Sequence, residues 1–313
     1  MTLLYLDRIF LEHRTGQHPE CPERVAALLE RLEGSELASA CVRPTWEPAP
    51  PVLLGRNHSA RYIAAVEQMA EAGGGQPDGD TVMSAASYQV ATMAAGAVCD
   101  AVRRVVDGED KRALCLVRPP GHHALPAHSM GFCLFNNIAL GAHLAVDELG
   151  LERVLIVDWD VHHGNGTQDV FYEDPNVAFL SIHRWPFYPG TGSAQETGSG
   201  PGLGLTLNLP VEYGTSRQDY LDRFRSGLEQ LAANSKPQLV LVSAGFDSHR
   251  LDPIGSLGLE SEDFEPLTEM VLDVAGQYAD GRLVSVLEGG YHTGALAEAV
   301  EIHLRGLEQA TAT

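Results

Sequence analysis

With 313 residues, 44% of them hydrophobic and 20% charged, the chain can bury a sizeable core, and no linker-like stretch divides it; one domain over residues 1–313 is expected. The 21 basic residues against 42 acidic ones leave a net charge of −21, which excludes a phosphate-backbone binder of the usual kind and suits either a cationic substrate or a merely well-solvated surface. The only apolar run near the start, Leu3 to Leu6, is broken by Asp7 and Arg8, and the five cysteines are odd in number without CxxC spacing, so neither signal peptide nor membrane span is expected and the reducing cytoplasm is the natural location.

In chain order, Leu3 to Leu6 reads as a short strand and Pro22 to Leu32 as an amphipathic helix stopped by Gly34. Helices over Ser59 to Ala72 and Ser84 to Val106 flank the loop Gly73 to Asp80. Ala113 to Val117 is a strand ended by Pro119-Pro120-Gly121, and a helix follows over Asn137 to Leu149. Strands Val154 to Asp158, Val177 to His183 and Leu205 to Leu209 come next, then a helix opened by Ser216 and Asp219 and running to about Ala233. Strands Leu239 to Ser243 and Leu283 to Leu287 enclose a helix from about Glu262 to Tyr278, and a last helix spans Gly294 to Leu307. Alternation of strand and helix predicts a parallel sheet covered by helices on both faces. Gly198 to Gly204 is rich in glycine but lacks GxGxxG, so a phosphate cradle is not expected there.

Chemistry concentrates in Asp158-Trp159-Asp160-Val161-His162-His163-Gly164-Asn165-Gly166, directly after the aliphatic run Val154 to Val157. If the backbone stays extended, Asp158, Asp160 and His162 share one face. Two carboxylates and an imidazole converging at the mouth of a buried strand are costly unless they are paired or hold a cation, and oxygen and nitrogen donors of this kind suit zinc or another first-row metal. The residues alone also allow helix-capping carboxylates beside a solvated histidine pair. Three further polar groups also follow strands: His122-His123, Asp247 and Tyr291. In parallel sheets ligand sites lie beyond the carboxyl ends of the strands, so all four groups are expected to meet.

Arg118-Pro119-Pro120-Gly121-His122-His123-Ala124, Asp158 to Gly166, Ala244-Gly245-Phe246-Asp247-Ser248-His249 and Glu288-Gly289-Gly290-Tyr291 resemble, in this order, the motifs of the zinc-dependent histone deacetylase family, nearest its class II-like and bacterial amidohydrolase members. The likeness extends from the first residues to about Gly306. It implies a three-layer arginase/deacetylase fold with an eight-stranded, mostly parallel sheet. It also implies one zinc ion on Asp160, His162 and Asp247, with Asp158 paired to His122 and Asn165 orienting His123.

By the same resemblance His123 is the general base and later acid, His122 stabilises charge, and Tyr291 donates a hydrogen bond to the substrate carbonyl. Asn165 stands where some members carry Asp, and a neutral partner leaves His123 less basic. Phe132 and Tyr188 would sandwich the acyl-carrying methylene chain, with Gly131 allowing close approach, and Asp80 would accept hydrogen bonds from substrate amides, although an Asp beside Gly79 is also ordinary turn chemistry. Ile254 occupies the place of an acidic gatekeeper in a polyamine-selective relative. Potassium is implied at two structural sites, one from Asp158, Asp160 and His162 with Ser181 and Ile182, another from Phe171, Asp174 and Val177. His18 to Arg24 resembles the amino-terminal loop of class II-like members. The implied substrate is an acylated lysine peptide or a small acylated amine, without nucleic acid or membrane, and an oligomer is compatible with the family. The alternatives are an acetylpolyamine amidohydrolase and a non-catalytic acyl-lysine-binding module.

Overall fold

The computed structural model describes residues 1–310; the last three residues of the expected 1–313 domain lie outside the described residues. The seven apolar runs form seven strands: β1 Thr2–Tyr5, β2 Arg112–Cys115, β3 Val154–Asp158, β4 Val177–Arg184, β5 Thr206–Val211, β6 Leu239–Ala244 and β7 Leu283–Leu287. They pair in parallel throughout, in the order β1-β2-β7-β6-β3-β4-β5. Every residue of β3, β6 and β7 is buried, so helices cover both faces, which is why these strands are continuous Val/Leu/Ile runs rather than alternating ones.

The sheet has seven strands, not the expected eight. Beside β1 the next chain segment contributes a single bridge, Val42 to Leu3, with Leu4 N–H donating to Val42 O at 2.8 Å and Val42 N–H to Thr2 O at 3.0 Å. Pro44, Pro48, Pro50 and Pro51 follow, and residues without an N–H cannot extend a ladder. The helices fall within a few residues of expectation at Glu23–Leu32, Ala60–Glu71, Ser87–Asp107, Asn137–Asp147, Arg217–Ser235, Phe264–Tyr278 and Thr293–Gln309. One starts three residues late because Ser84 pairs with Gly74 in a two-residue antiparallel ribbon. Among the described residues no helix is long and apolar enough to cross a membrane.

The four strands whose following loops carry the motifs, β2, β7, β6 and β3, are consecutive neighbours in the middle of the sheet. Their carboxyl ends therefore bring His122, Asp160, Asp247 and Tyr291 to one place.

Candidate active site

The strand β3 stops at Asp158, so the convergence of Asp160 and His162 does not arise from strand alternation as expected. Asp158 Oδ1 accepts from Asp160 N–H at 3.0 Å, and Asp160 Oδ1 from His162 N–H at 2.9 Å. These successive Asx-type bonds curl the chain so that Asp160 and His162 face Asp247 at the end of β6, while Asp158 turns towards His122. His162 Nδ1 then lies 3.0 Å from Asp160 Oδ1 and 3.1 Å from Asp247 Oδ2. All three residues are buried. Burial, then the charge of Asp160, pushes the Asp247 carboxyl up to about 7.

This donor set fits a divalent cation. Asp247 Oδ1 accepts from Val161 N–H at 2.9 Å, but its buried Oδ2 makes no hydrogen bond, because His162 Nδ1, though 3.1 Å away, bonds Asp160 Oδ1 instead. A single imidazole nitrogen cannot satisfy two carboxylates, whereas a cation placed between one nitrogen and two oxygen donors does. The backbone is shaped around these carboxylates. A Cβ on Gly245 would sit 2.2 Å from Asp160 Oδ2, and one on Gly289 2.2 Å from Asp247 Oδ2.

His122 and His123 pack with ring centroids 4.0 Å apart. His122 Nδ1 is 2.9 Å from Asp158 Oδ2, and His123 Nδ1 is 2.7 Å from Asn165 Oδ1. Burial disfavours charge on both. At His122 the charges of Asp158 and Asp160 outweigh burial and raise its pKa to about 10. At His123 burial, reinforced by His122 and His162, holds the pKa well below the usual histidine range. Gly164 caps a short helix, Asn165–Phe171, and Gly166 lies in its first turn. A Cβ on Gly166 would meet Ala124 O at 2.5 Å, so glycine is required for this helix to press against the His122-His123 segment and deliver Asn165.

At the end of β7, buried Glu288 accepts from Gly121 N–H at 2.7 Å, His122 N–H at 3.2 Å and Ser243 Oγ at 3.0 Å, fixing the β2 loop. Tyr291 N–H donates to Asp252 Oδ2 at 2.7 Å. Burial keeps the Tyr291 phenol well above its ordinary pKa, hence a neutral donor. Beneath it, Arg24 donates to Gly290 O at 2.6 Å and Glu288 O at 2.5 Å, and its guanidinium lies 5.0 Å from the Tyr291 ring centroid.

Arg24 is held in turn by Glu20, which also pairs with Arg118 through Nη2 at 2.7 Å and through Nε. Burial alone would raise the Glu20 carboxyl, but Arg118 and then His13 outweigh it and hold it well below the usual range. Glu20→Gln is expected to cost about 3–5 kcal/mol, because it leaves two buried guanidinium groups without a counter-charge. A carboxyl depressed on folding stabilises fully above its unfolded pKa of about 4 and loses that effect as pH falls through the folded value. The gap between parent and variant in urea unfolding should therefore be full at neutral pH and close only in strong acid.

Asp80, His123, Gly131, Phe132, His162, Phe187, Tyr188, Ile254 and Tyr291 line one channel of about 220 Å³. Phe187 stacks on His162 at 5.2 Å with an interplanar angle of 15°, and Phe132 meets Tyr291 edge-on at 5.7 Å. All five residues expected to contact substrate, Asp80, Gly131, Phe132, Tyr188 and Ile254, are in this lining. Asp80 is not free for a substrate amide through Oδ1, however, which accepts from Gly131 N–H at 3.0 Å. Of the residues expected around potassium, Asp158 and Ser181 are register partners across β3 and β4, and Ile182 follows on β4. Phe171, Asp174 and Val177 lie together where the Asn165–Phe171 helix leads into β4, with Asp174 N–H donating to Phe171 O at 3.1 Å. Sequence reasoning assigned no role to Glu20, Arg24, Arg118 or Asp252. The available signal was charge inside otherwise apolar or tightly turning stretches.

Fold and site together define an α/β amidohydrolase, an enzyme that cleaves amide bonds by hydrolysis. A family model described as a histone deacetylase domain matches residues 18–307. The histone deacetylase-like amidohydrolase of Pseudomonas aeruginosa is 38% identical over 275 residues, covering 88% of this chain and 72% of that protein. The human polyamine deacetylase HDAC10 is 42% identical over 95% of this chain and 46% of its own length. The solved HDA15 HD domain superposes with a TM-score of 0.92 at 33% identity, covering 99% of this chain and 91% of that one. The chain belongs to the histone deacetylase family, has its arginase/deacetylase fold and is a hydrolytic deacetylase.

Proposed function

We propose that the chain, working as one domain over residues 1–313, removes acetyl or other short acyl groups from lysine side chains or related amines, with zinc held by Asp160, His162 and Asp247. The observation that carries this reading is the channel lined by His123, His162 and Tyr291, with Asp160 and Asp247 grouped with His162 at ligating distance. Bound there, zinc supplies Lewis-acid polarisation of an amide carbonyl and acidifies water.

The residues of the chain do the rest. Phe132 and Tyr188 grip the methylene chain and exclude water from it. The Tyr291 phenol donates to the carbonyl oxygen as negative charge develops there. Because Asn165 Oδ1 accepts from His123 Nδ1–H, the Nε2 lone pair of His123 is free to take the proton of the attacking water and pass it to the departing nitrogen. His122, paired through Nδ1 with Asp158, stays in place as a charge-stabilising neighbour. The products are a free amine and a carboxylate. Potassium is proposed at the Asp158, Asp160, His162, Ser181 and Ile182 cluster, where it would offset the buried carboxylates of Asp158 and Asp160, and at Phe171, Asp174 and Val177. The five free cysteines support a cytoplasmic location.

Ile254 favours acyl-lysine over polyamine, since an apolar wall cannot hold a distant ammonium, while the net charge of −21 is the observation that favours polyamines. Hydrolysis of an acetyl-lysine peptide, N-acetylputrescine and acetylspermidine by zinc-loaded protein decides between them. The peptide should have the highest kcat/KM. Turnover of the polyamines alone would overturn the acyl-lysine assignment, and turnover of none of the three would overturn both.

A further inference from the structure

Of the four non-glycine residues with positive φ among those described, only Phe132, at 70°, lines the channel. A bulky residue enters that region only where its surroundings hold it. Those surroundings are the turn Asp78-Gly79-Asp80-Thr81. Phe132 N–H donates to Thr81 Oγ1 at 3.1 Å, and the preceding Gly131 N–H donates to Asp80 Oδ1 at 3.0 Å. The turn is itself braced: Asp78 Oδ1 accepts from the N–H groups of Asp80 and Thr81, each at 2.9 Å. Thr81 is buried, and its hydroxyl lies 3.1 Å from both Asp78 Oδ2 and Asp80 Oδ1. It therefore donates to a carboxylate while accepting from Phe132, a combination that only a hydroxyl offers at this place. From the other side His18 Nε2 reaches Asp80 O at 3.0 Å and packs its ring edge-on against Phe132 at 4.5 Å.

We infer that Thr81 is a positioning residue for substrate selection: through the Asp78 to Thr81 turn it holds Phe132 in its left-handed conformation and thereby fixes the channel wall against the methylene chain. The inference rests on the deacylase reading. It also gives Asp80 a bracing role in the wall through Oδ1. Loss of the clamp weakens ground state and transition state alike, because the wall touches the linker and not the reacting atoms.

The test uses Thr81→Val, nearly equal in shape but unable to accept from Phe132, and Thr81→Ser, which keeps the hydroxyl. Zinc-loaded Thr81→Val should raise KM for an acetyl-lysine peptide roughly tenfold with kcat within about twofold of the parent, and Thr81→Ser should restore KM. Should the valine variant not fold, Asp78→Asn, which keeps the Oδ1 acceptor but removes the charge facing the hydroxyl, should raise KM about threefold. A crystal structure of the valine variant should find Phe132 outside positive φ. Parent-like KM, or a fall in kcat that serine does not rescue, overturns the inference while leaving the deacylase reading intact. If the parent hydrolyses no acylated amine, that reading fails instead, and the clamp stands or falls on the Phe132 conformation alone.

Discussion

Asp247→Ala is expected to lower kcat/KM by a factor of at least roughly a thousand, the effect of several kcal/mol of lost carbonyl polarisation and water activation. The variant removes two things at once. Oδ2, the buried oxygen without a donor, is the proposed ligand, and Oδ1 accepts from Val161 N–H at 2.9 Å. Losing the second leaves a buried amide unpaired at a cost of about 1–3 kcal/mol of stability. Asp247→Asn separates the two, because an amide oxygen keeps the Val161 bond while the nitrogen in place of Oδ2 cannot ligate. Both variants should lose zinc, measured as bound metal per chain after dialysis, and both should lose turnover, whereas only the alanine variant should melt substantially earlier. Parent-level metal content in either would remove Asp247 from the ligand set.

What could be read from the sequence follows the range of the physical signal. The inner strands were legible because burial on both faces demands unbroken aliphatic runs, as in Val154 to Val157, and all seven expected strands formed, although the edge strand β5, Thr206–Val211, is only partly buried. The site was legible because each of its groups directly follows one of those runs. An eighth strand came from resemblance alone, and a proline-rich segment reduces it to the Val42 bridge. The helix Asn165–Phe171 was hidden by its own glycines, whose reason is a neighbour over forty positions earlier: a Cβ on Gly166 would collide with Ala124 O. The same holds for the brace under Tyr291. Arg118 and Glu20 are 98 positions apart, and Arg24 reaches carbonyls 264 and 266 positions away. No local pattern encodes such pairs: the parallel pairing of β2 with β7 sets the Arg118 and Glu288 loops side by side, and Glu20 and Arg24 reach both from the segment after β1. The strand period also misled, because Asx bonds from Asp158 and Asp160 replace the ladder just where the ligands begin.

Tyr291→Phe is expected to lower kcat about 10²- to 10³-fold with KM little changed, the usual consequence of removing one donor aimed at a developing oxyanion. The substitution is confined to one hydroxyl. The ring keeps its contacts with Arg24 at 5.0 Å and Phe132 at 5.7 Å, and Tyr291 N–H stays on Asp252 Oδ2 at 2.7 Å, so the loop has no reason to move. Burial holds the phenol protonated throughout the neutral range, so the parent donates at every pH at which the comparison is made. The outcome also separates an enzyme from a module that only binds acyl-lysine. In an enzyme the hydroxyl acts most strongly as charge develops on the carbonyl oxygen, and rate falls while affinity for the peptide holds. In a binding module it would act only on the neutral carbonyl, and affinity would fall with no rate to lose. Steady-state kinetics beside peptide binding by calorimetry distinguish the two, and a variant as fast as the parent would remove Tyr291 from the carbonyl-polarising role.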